Sequence, residues 1–315
     1  MVKKQAARTA LVLGLLLVMS LGLQGCQKTS EKVTLTVGAQ NYAEVIIMAY
    51  MAEALIEDQT DYEVEVVARL GSASVLDQAM STGDVDIGSL VFTGGATGLL
   101  HPKMQKLVDD LKDPRWRDAR TVYEFVKENS PEVLGRIWID PLGYENTYAV
   151  VVKRDLAEAY GLKTVSDLRG LTSEMVIGMD DAYMDREIDG YYPLLETYDL
   201  EPFKDTVSMQ INLLYQALRD EQVTVGVAYS TDARIHAYDL VWLQDDMKLY
   251  PPFEAAYGVN VSVLETAPEI PEILGQLSGK IDIDTIRLLN YEVDINQRDH
   301  QEVALEYLKE HGYLK

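Results

Sequence analysis

Of the 315 residues, one is cysteine, four are histidine, four are phenylalanine and three are tryptophan. A single cysteine excludes any disulfide within the chain, so a fold of this length must rest on its own buried core. His101, His236, His300 and His311 stand far apart, and none has a second histidine or a cysteine at metal-ligand spacing. Basic residues are also scarce: 28 Lys and Arg stand against 51 Asp and Glu, a formal charge of -23. A body this acidic does not attract nucleic acid or anionic lipid without a local basic patch. The densest basic grouping, Arg115, Arg117 and Arg120, is broken by Trp116 and Asp118 and reads as the solvated start of a helix after Pro114. The glycine-rich Gly94-Gly95-Ala96-Thr97-Gly98 lacks a P-loop lysine and dinucleotide spacing, which leaves a turn or a ligand loop. The acids Asp180, Asp181, Asp185 and Glu187 lack the glycine and distal glutamate of a calcium loop. There is no Gly-x-Ser-x-Gly elbow. No metal, cofactor or catalytic set is expected.

Long apolar runs are equally rare, with one exception. After Lys3, Lys4 and Arg8 the chain is apolar from Ala10 to Leu23. A basic start before a run this short has the layout of a secretory signal; a bilayer-spanning helix wants about 20 apolar residues. Leu23-Gln24-Gly25-Cys26 closes the run with the chain's one cysteine. This resembles the bacterial lipobox, in which the cysteine is lipidated and becomes the first mature residue. The expected organisation is a signal peptide over 1–25 and a lipidated polar tether over 26–32. The body would then lie outside the cytoplasm, lipid-anchored to the cell membrane through Cys26.

From Val33 onward the pattern has α/β order. Val33–Val37 alternates as a strand, Glu44–Ile56 has helical periodicity, and Tyr62–Val67 alternates again. Val75–Met80 then reads as a helix and Val85–Ile87 as a strand, which argues for parallel strands with helical crossovers. A helix is expected over 117–127, with a break at Ser130-Pro131. A second unit opens with the strand Tyr148–Lys153 and includes strands at Glu174–Gly178 and Val223–Tyr229. A return comes next, with Asp239–Leu243, the strand Gly258–Val263 and helices to the end. The expected division is a first lobe over 33–145, a second over 146–233, and a return to the first over 234–315.

Tyrosine is abundant, at nineteen residues, and Tyr42, Tyr144, Tyr148, Tyr183, Tyr191, Tyr192, Tyr229 and Tyr257 fall near strand ends. A quaternary ammonium has no N–H to donate, so ring faces must supply its attraction. Tyrosine suits such walls because its hydroxyl can stay hydrogen-bonded at the rim.

Several ordered stretches carry a family resemblance. They include Leu142-Gly-Tyr-Glu-Asn-Thr-Tyr-Ala-Val150, Met184-Asp-Arg-Glu187 with Asp189-Gly-Tyr191, Ala228-Tyr-Ser-Thr-Asp232, Pro251-Pro252 and Asn290-Tyr-Glu-Val-Asp294. In these the chain resembles the solute receptors of osmoprotectant ABC transporters for glycine betaine, choline and carnitine. The resemblance implies an α/β fold of the bilobed periplasmic-binding-protein type (type II), two lobes joined by a hinge, with no catalytic activity. Its partners would be a small quaternary-ammonium or zwitterionic solute and the transmembrane subunits of an ABC permease. Carried onto this chain, it implies ring walls from Tyr148, Tyr229 and Tyr191, with Tyr192 an alternative to Tyr191. The family's first ligand loop keeps its general form in Gln40-Asn41-Tyr42-Ala43-Glu44, which makes Gln40 and Tyr42 candidates too. Thr231 and Asp232 lie beside Tyr229. Arg186 and Arg234 would meet either a carboxylate or a structural acid. The sequence departs from the family after Asp86: a family tyrosine is missing, and Phe92 and Thr93 stand nearby. Two other readings remain open, an exported enzyme for a small metabolite and a same-fold receptor for a non-cationic, amino-acid-like solute.

Overall fold

The computed structural model describes residues 32–315. The leader over 1–25 and the lipidation site Cys26 lie outside the described residues, as does most of the tether. Among the described residues no helix is long and apolar enough to cross a membrane.

Two five-stranded sheets share one plan. The first contains β1 (Thr34–Gly38), β2 (Glu63–Val67), β3 (Ile87–Phe92), β4 (Arg136–Trp138) and β10 (Ala255–Asn260), in the order β2-β1-β3-β10-β4. The second contains β5 (Tyr148–Lys153), β6 (Val176–Met179), β7 (Asp205–Ser208), β8 (Val225–Tyr229) and β9 (Leu240–Leu243), in the order β7-β6-β8-β5-β9. In each sheet three parallel strands are followed by one strand antiparallel to both of its neighbours, β10 in the first and β5 in the second. Helices cover both faces, which is why β3 and nearly all of β5 are buried along their length rather than at alternate residues.

Each sheet has its own core. The helix Ala43–Gln59 is buried along most of its length among Val37, Ile87, Tyr257 and Leu308. On the other face of the first sheet, Leu76, Trp116, Val126 and Trp138 form a second cluster. The clusters of the second sheet draw only on residues between Tyr148 and Tyr250. Two segments cross between the sheets, around residues 144–148 and 250–255. They pair with each other: the Asn146 N–H donates to the Phe253 carbonyl at 3.0 Å and the Ala255 N–H to the Tyr144 carbonyl at 3.1 Å. Gly94 makes room for this hinge, because a Cβ there would stand 2.3 Å from the Pro252 carbonyl oxygen.

Several boundaries differ from the sequence expectations, three of them by more than fraying. The helix expected to break at Ser130-Pro131 runs from Ala119 to Leu134. Val122, Val126, Ser130 and Leu134 recur every four residues and are all buried, so packing carries the helix past Pro131. It stops at Gly135, whose φ of 68° suits a left-handed cap. The strand expected at Gly258–Val263 is β10, three residues earlier, and Val261–Glu265 is a 3-10 helix. Leu240–Leu243 pairs with β5 in the second sheet, so by hydrogen bonding the return comes after Leu243 rather than at 234.

Candidate ligand site

Open α/β sheets present ligands to the loops beyond the carboxyl ends of their parallel strands. A cavity of about 660 Å³ lies at that edge of both sheets. Gln40, Asn41, Tyr42 and Glu44 follow β1, Arg69 and Ser72 follow β2, and Phe92 and Thr97 end or follow β3. From the second sheet come Arg186 after β6, Asn212 after β7, and Tyr229, Thr231 and Asp232 at the end of β8. β5 and β10 run the opposite way, so Tyr148 at the start of one and Phe253 just before the other reach the same edge.

The register of the second sheet makes the aromatic wall. Tyr148 and Tyr229 are direct partners across the β5–β8 ladder, so their side chains leave the same face and their ring centroids stand 5.6 Å apart. Tyr42 comes from the other sheet, at the N-cap of the helix Ala43–Gln59, and its ring lies 6.3 Å from that of Tyr229. Phe253 approaches Tyr148 edge-on at 6.4 Å. Behind Tyr148 stand Tyr183, at 4.8 Å, and Tyr250, at 5.8 Å, whose hydroxyls share a 2.7 Å hydrogen bond. The Tyr229 hydroxyl donates to Asp180 at 2.8 Å. Burial holds the Tyr42 and Tyr229 phenols well above their usual range and pushes Tyr148 the same way, so all three rings are neutral.

Two arginines enter the cavity already paired. Arg186 makes a two-bond contact with buried Asp189, at 2.7 and 2.6 Å, while its guanidinium stands 5.2 Å from the Tyr148 ring centre. Arg234 donates from Nε to Asp232 at 2.8 Å and covers the Tyr215 ring at 4.2 Å. Both arginines therefore meet structural acids. Four buried polar atoms on residues lining the cavity have no partner: Gln40 Nε2, Asn146 Oδ1, Thr147 Oγ1 and Asn290 Oδ1. Buried polar atoms of this kind are costly unless something else satisfies them, so the lining carries unmet hydrogen-bonding capacity alongside its aromatic wall.

Of the sequence candidates, Gln40, Tyr42, Phe92, Tyr148, Arg186, Tyr229, Thr231 and Asp232 share the cavity. Three do not. Tyr191 opens the helix Tyr191–Tyr198 and turns into the second core, 6.4 Å from Phe203, where its hydroxyl accepts from Thr206. Tyr192, next on that helix, is 68% exposed. Thr93 fastens the hinge instead: its hydroxyl donates to the Pro252 carbonyl and accepts from the Glu254 N–H. Sequence reasoning missed Glu44, Asn146, Phe253 and Asn290 as site residues. For Phe253 the adjacent Pro251-Pro252 was a usable signal, and Glu44, Asn146 and Asn290 each lie within a stretch that carries the family resemblance.

Residues 33–310 match the family described as the substrate-binding domain of ABC-type glycine betaine transport systems. The chain belongs to this family. A carnitine transport binding protein of Listeria monocytogenes is 38% identical over 96% of this chain and 96% of its own length. A glycine-betaine-binding protein of Pseudomonas aeruginosa is 30% identical over 89% of each. Among solved structures, that of a glycine betaine/carnitine/choline ABC transporter superposes with a TM-score of 0.74 at 32% identity, covering 89% of this chain and 100% of the other. The fold is thus the bilobed type II periplasmic-binding-protein fold, and the protein is an extracytoplasmic solute-binding component of an ABC importer. Family members bind rather than transform their solute, which removes the exported-enzyme reading.

Proposed function

We propose that this family member captures a small quaternary-ammonium osmoprotectant, of the class of glycine betaine, choline and carnitine, between Tyr42, Tyr148 and Tyr229. The observation that carries this reading is the ladder register of Tyr148 and Tyr229 together with Tyr42 facing them from the other sheet. A trimethylammonium head gains from several neutral ring faces, at about 1–2 kcal/mol each when desolvated. The free Gln40 amide donors and the Thr147 hydroxyl then serve a carboxylate or hydroxyl on the same ligand.

The two sheets act as lobes that close about the paired segments near 145 and 254, with 33–145 and the return forming one lobe. The loaded form docks on the permease subunits, and lipidated Cys26 keeps the receptor at the membrane. Arg186 remains a wall cation, paired with Asp189 beside the Tyr148 ring. Calorimetric titration of ligand-free protein with glycine betaine, choline and carnitine tests the ligand class. Saturable one-to-one binding of at least one is expected. Binding of uncharged or non-cationic amino acids alone would replace this reading with that of a same-fold amino-acid receptor.

A further inference from the structure

Glu44 is an acid with an unusual set of neighbours. It is 1% exposed, in the first turn of the helix Ala43–Gln59, two residues after Tyr42. Asn146 Nδ2 donates to one oxygen at 2.8 Å from the hinge, and Asn290 Nδ2 to the other at 3.3 Å from the helix Ile283–Asp294. The Thr231 side chain, from the second sheet, also favours its ionised form. These donors are all neutral, and among the described residues no lysine or arginine pairs with Glu44. Of the other ionisable groups on the same cavity, Arg69 and His300 do not pair with Glu44, and Arg298 is bound to Glu292, Glu302 and Glu306. Tyr42 and Tyr144 are phenols held neutral by burial, and Asp232 is bound to Arg234. Asp294 lines the same cavity, raised to about 6 by burial, and Arg186 is held by Asp189. Burial, with a smaller push from the Asp232 charge, outweighs these polar neighbours and lifts Glu44 to about 7.

We propose that Glu44 senses the net charge of the ligand: it gives up its proton when a net cation enters the cage and keeps it when a zwitterion does. This rests on the cage reading above. A quaternary ammonium cannot donate a hydrogen bond to the carboxyl, so the coupling acts through space, where a nearby opposite charge favours the ionised form. A choline-type ligand supplies that charge uncompensated. A betaine-type ligand brings its own carboxylate, drawn to Gln40 on the same loop, and cancels the field that would ionise Glu44. If a cation moves the Glu44 midpoint from about 7 to about 6, binding at pH 7 releases about 0.4 proton, and affinity rises about fivefold from pH 6 to pH 8.

The test is calorimetry of choline and glycine betaine at pH 7 in buffers of different ionisation enthalpy, followed by a pH series. Choline binding should release a fraction of a proton and strengthen with pH, while glycine betaine binding should release none. In Glu44→Gln, with its fold checked by circular dichroism, the choline release should vanish; in Asp294→Asn it should persist. Equal release with both ligands, no release with choline, or loss of release in Asp294→Asn but not in Glu44→Gln would overturn the proposal. So would binding of glycine betaine with no affinity for choline at any pH. Absence of binding by either ligand removes the cage reading itself, a separate failure.

Discussion

At the cavity edge, the first sheet ends its strands in Gln40, Glu44 and Ser72, whereas the second presents Tyr148 and Tyr229. The strand plan is common to both, so the difference lies in what is mounted on it. In the second sheet adjacent strands place two rings side by side, and Tyr183 and Tyr250 brace one of them from behind. That half carries a wall of braced rings. The first half supplies Tyr42, with Phe92 and Phe253 also on the lining, and the polar groups that distinguish one end of a ligand from the other. Affinity for the cationic head thus belongs mainly to the second sheet, and discrimination mainly to the first.

Substitutions on the two sides can break or sharpen this division. Tyr148→Ala should have the largest effect, a loss of about thirty- to hundredfold in affinity for a quaternary ammonium, because one wall goes and Tyr229 loses its neighbour. Titration calorimetry reads it directly. Tyr42→Ala should cost about tenfold, since a single face is removed and nothing stacked behind it collapses. A larger loss for Tyr42 than for Tyr148 would reverse the assignment. Tyr229→Phe keeps the ring and removes only the hydrogen bond to Asp180, so affinity should fall by about fivefold or less. Tyr191→Phe should leave affinity within about twofold, as its hydroxyl meets only Thr206 inside the second core, and any cost should appear in thermal stability instead.

The sequence carried the local features well. Strand and helix order and the β5 strand were legible because alternation and apolar runs are local; Tyr148 and Tyr229, which share the cavity, were pointed to by the family resemblance. The place of Tyr191 was not legible, because its fate depends on the phase of a helix that begins at that residue: one ring turns to the core and its neighbour Tyr192 to water. The burial of Glu44 was hidden for the opposite reason. A glutamate in the first turn of a helix normally faces solvent, and only the approach of residues 102 and 246 positions away buries it. The pairing of Leu240–Leu243 with β5 is likewise a long-range choice that no local pattern specifies.

If ring faces hold a positive charge, the charge itself must matter to binding. Choline and its neutral carbon isostere, 3,3-dimethylbutan-1-ol, have the same shape and hydroxyl and differ in that charge alone. Titrated into the wild-type protein, choline should bind at least about tenfold more tightly, and Tyr148→Ala should narrow the gap. Equal affinities for the two compounds would show that the cavity recognises shape and apolar surface, contradicting a charge-selective cage.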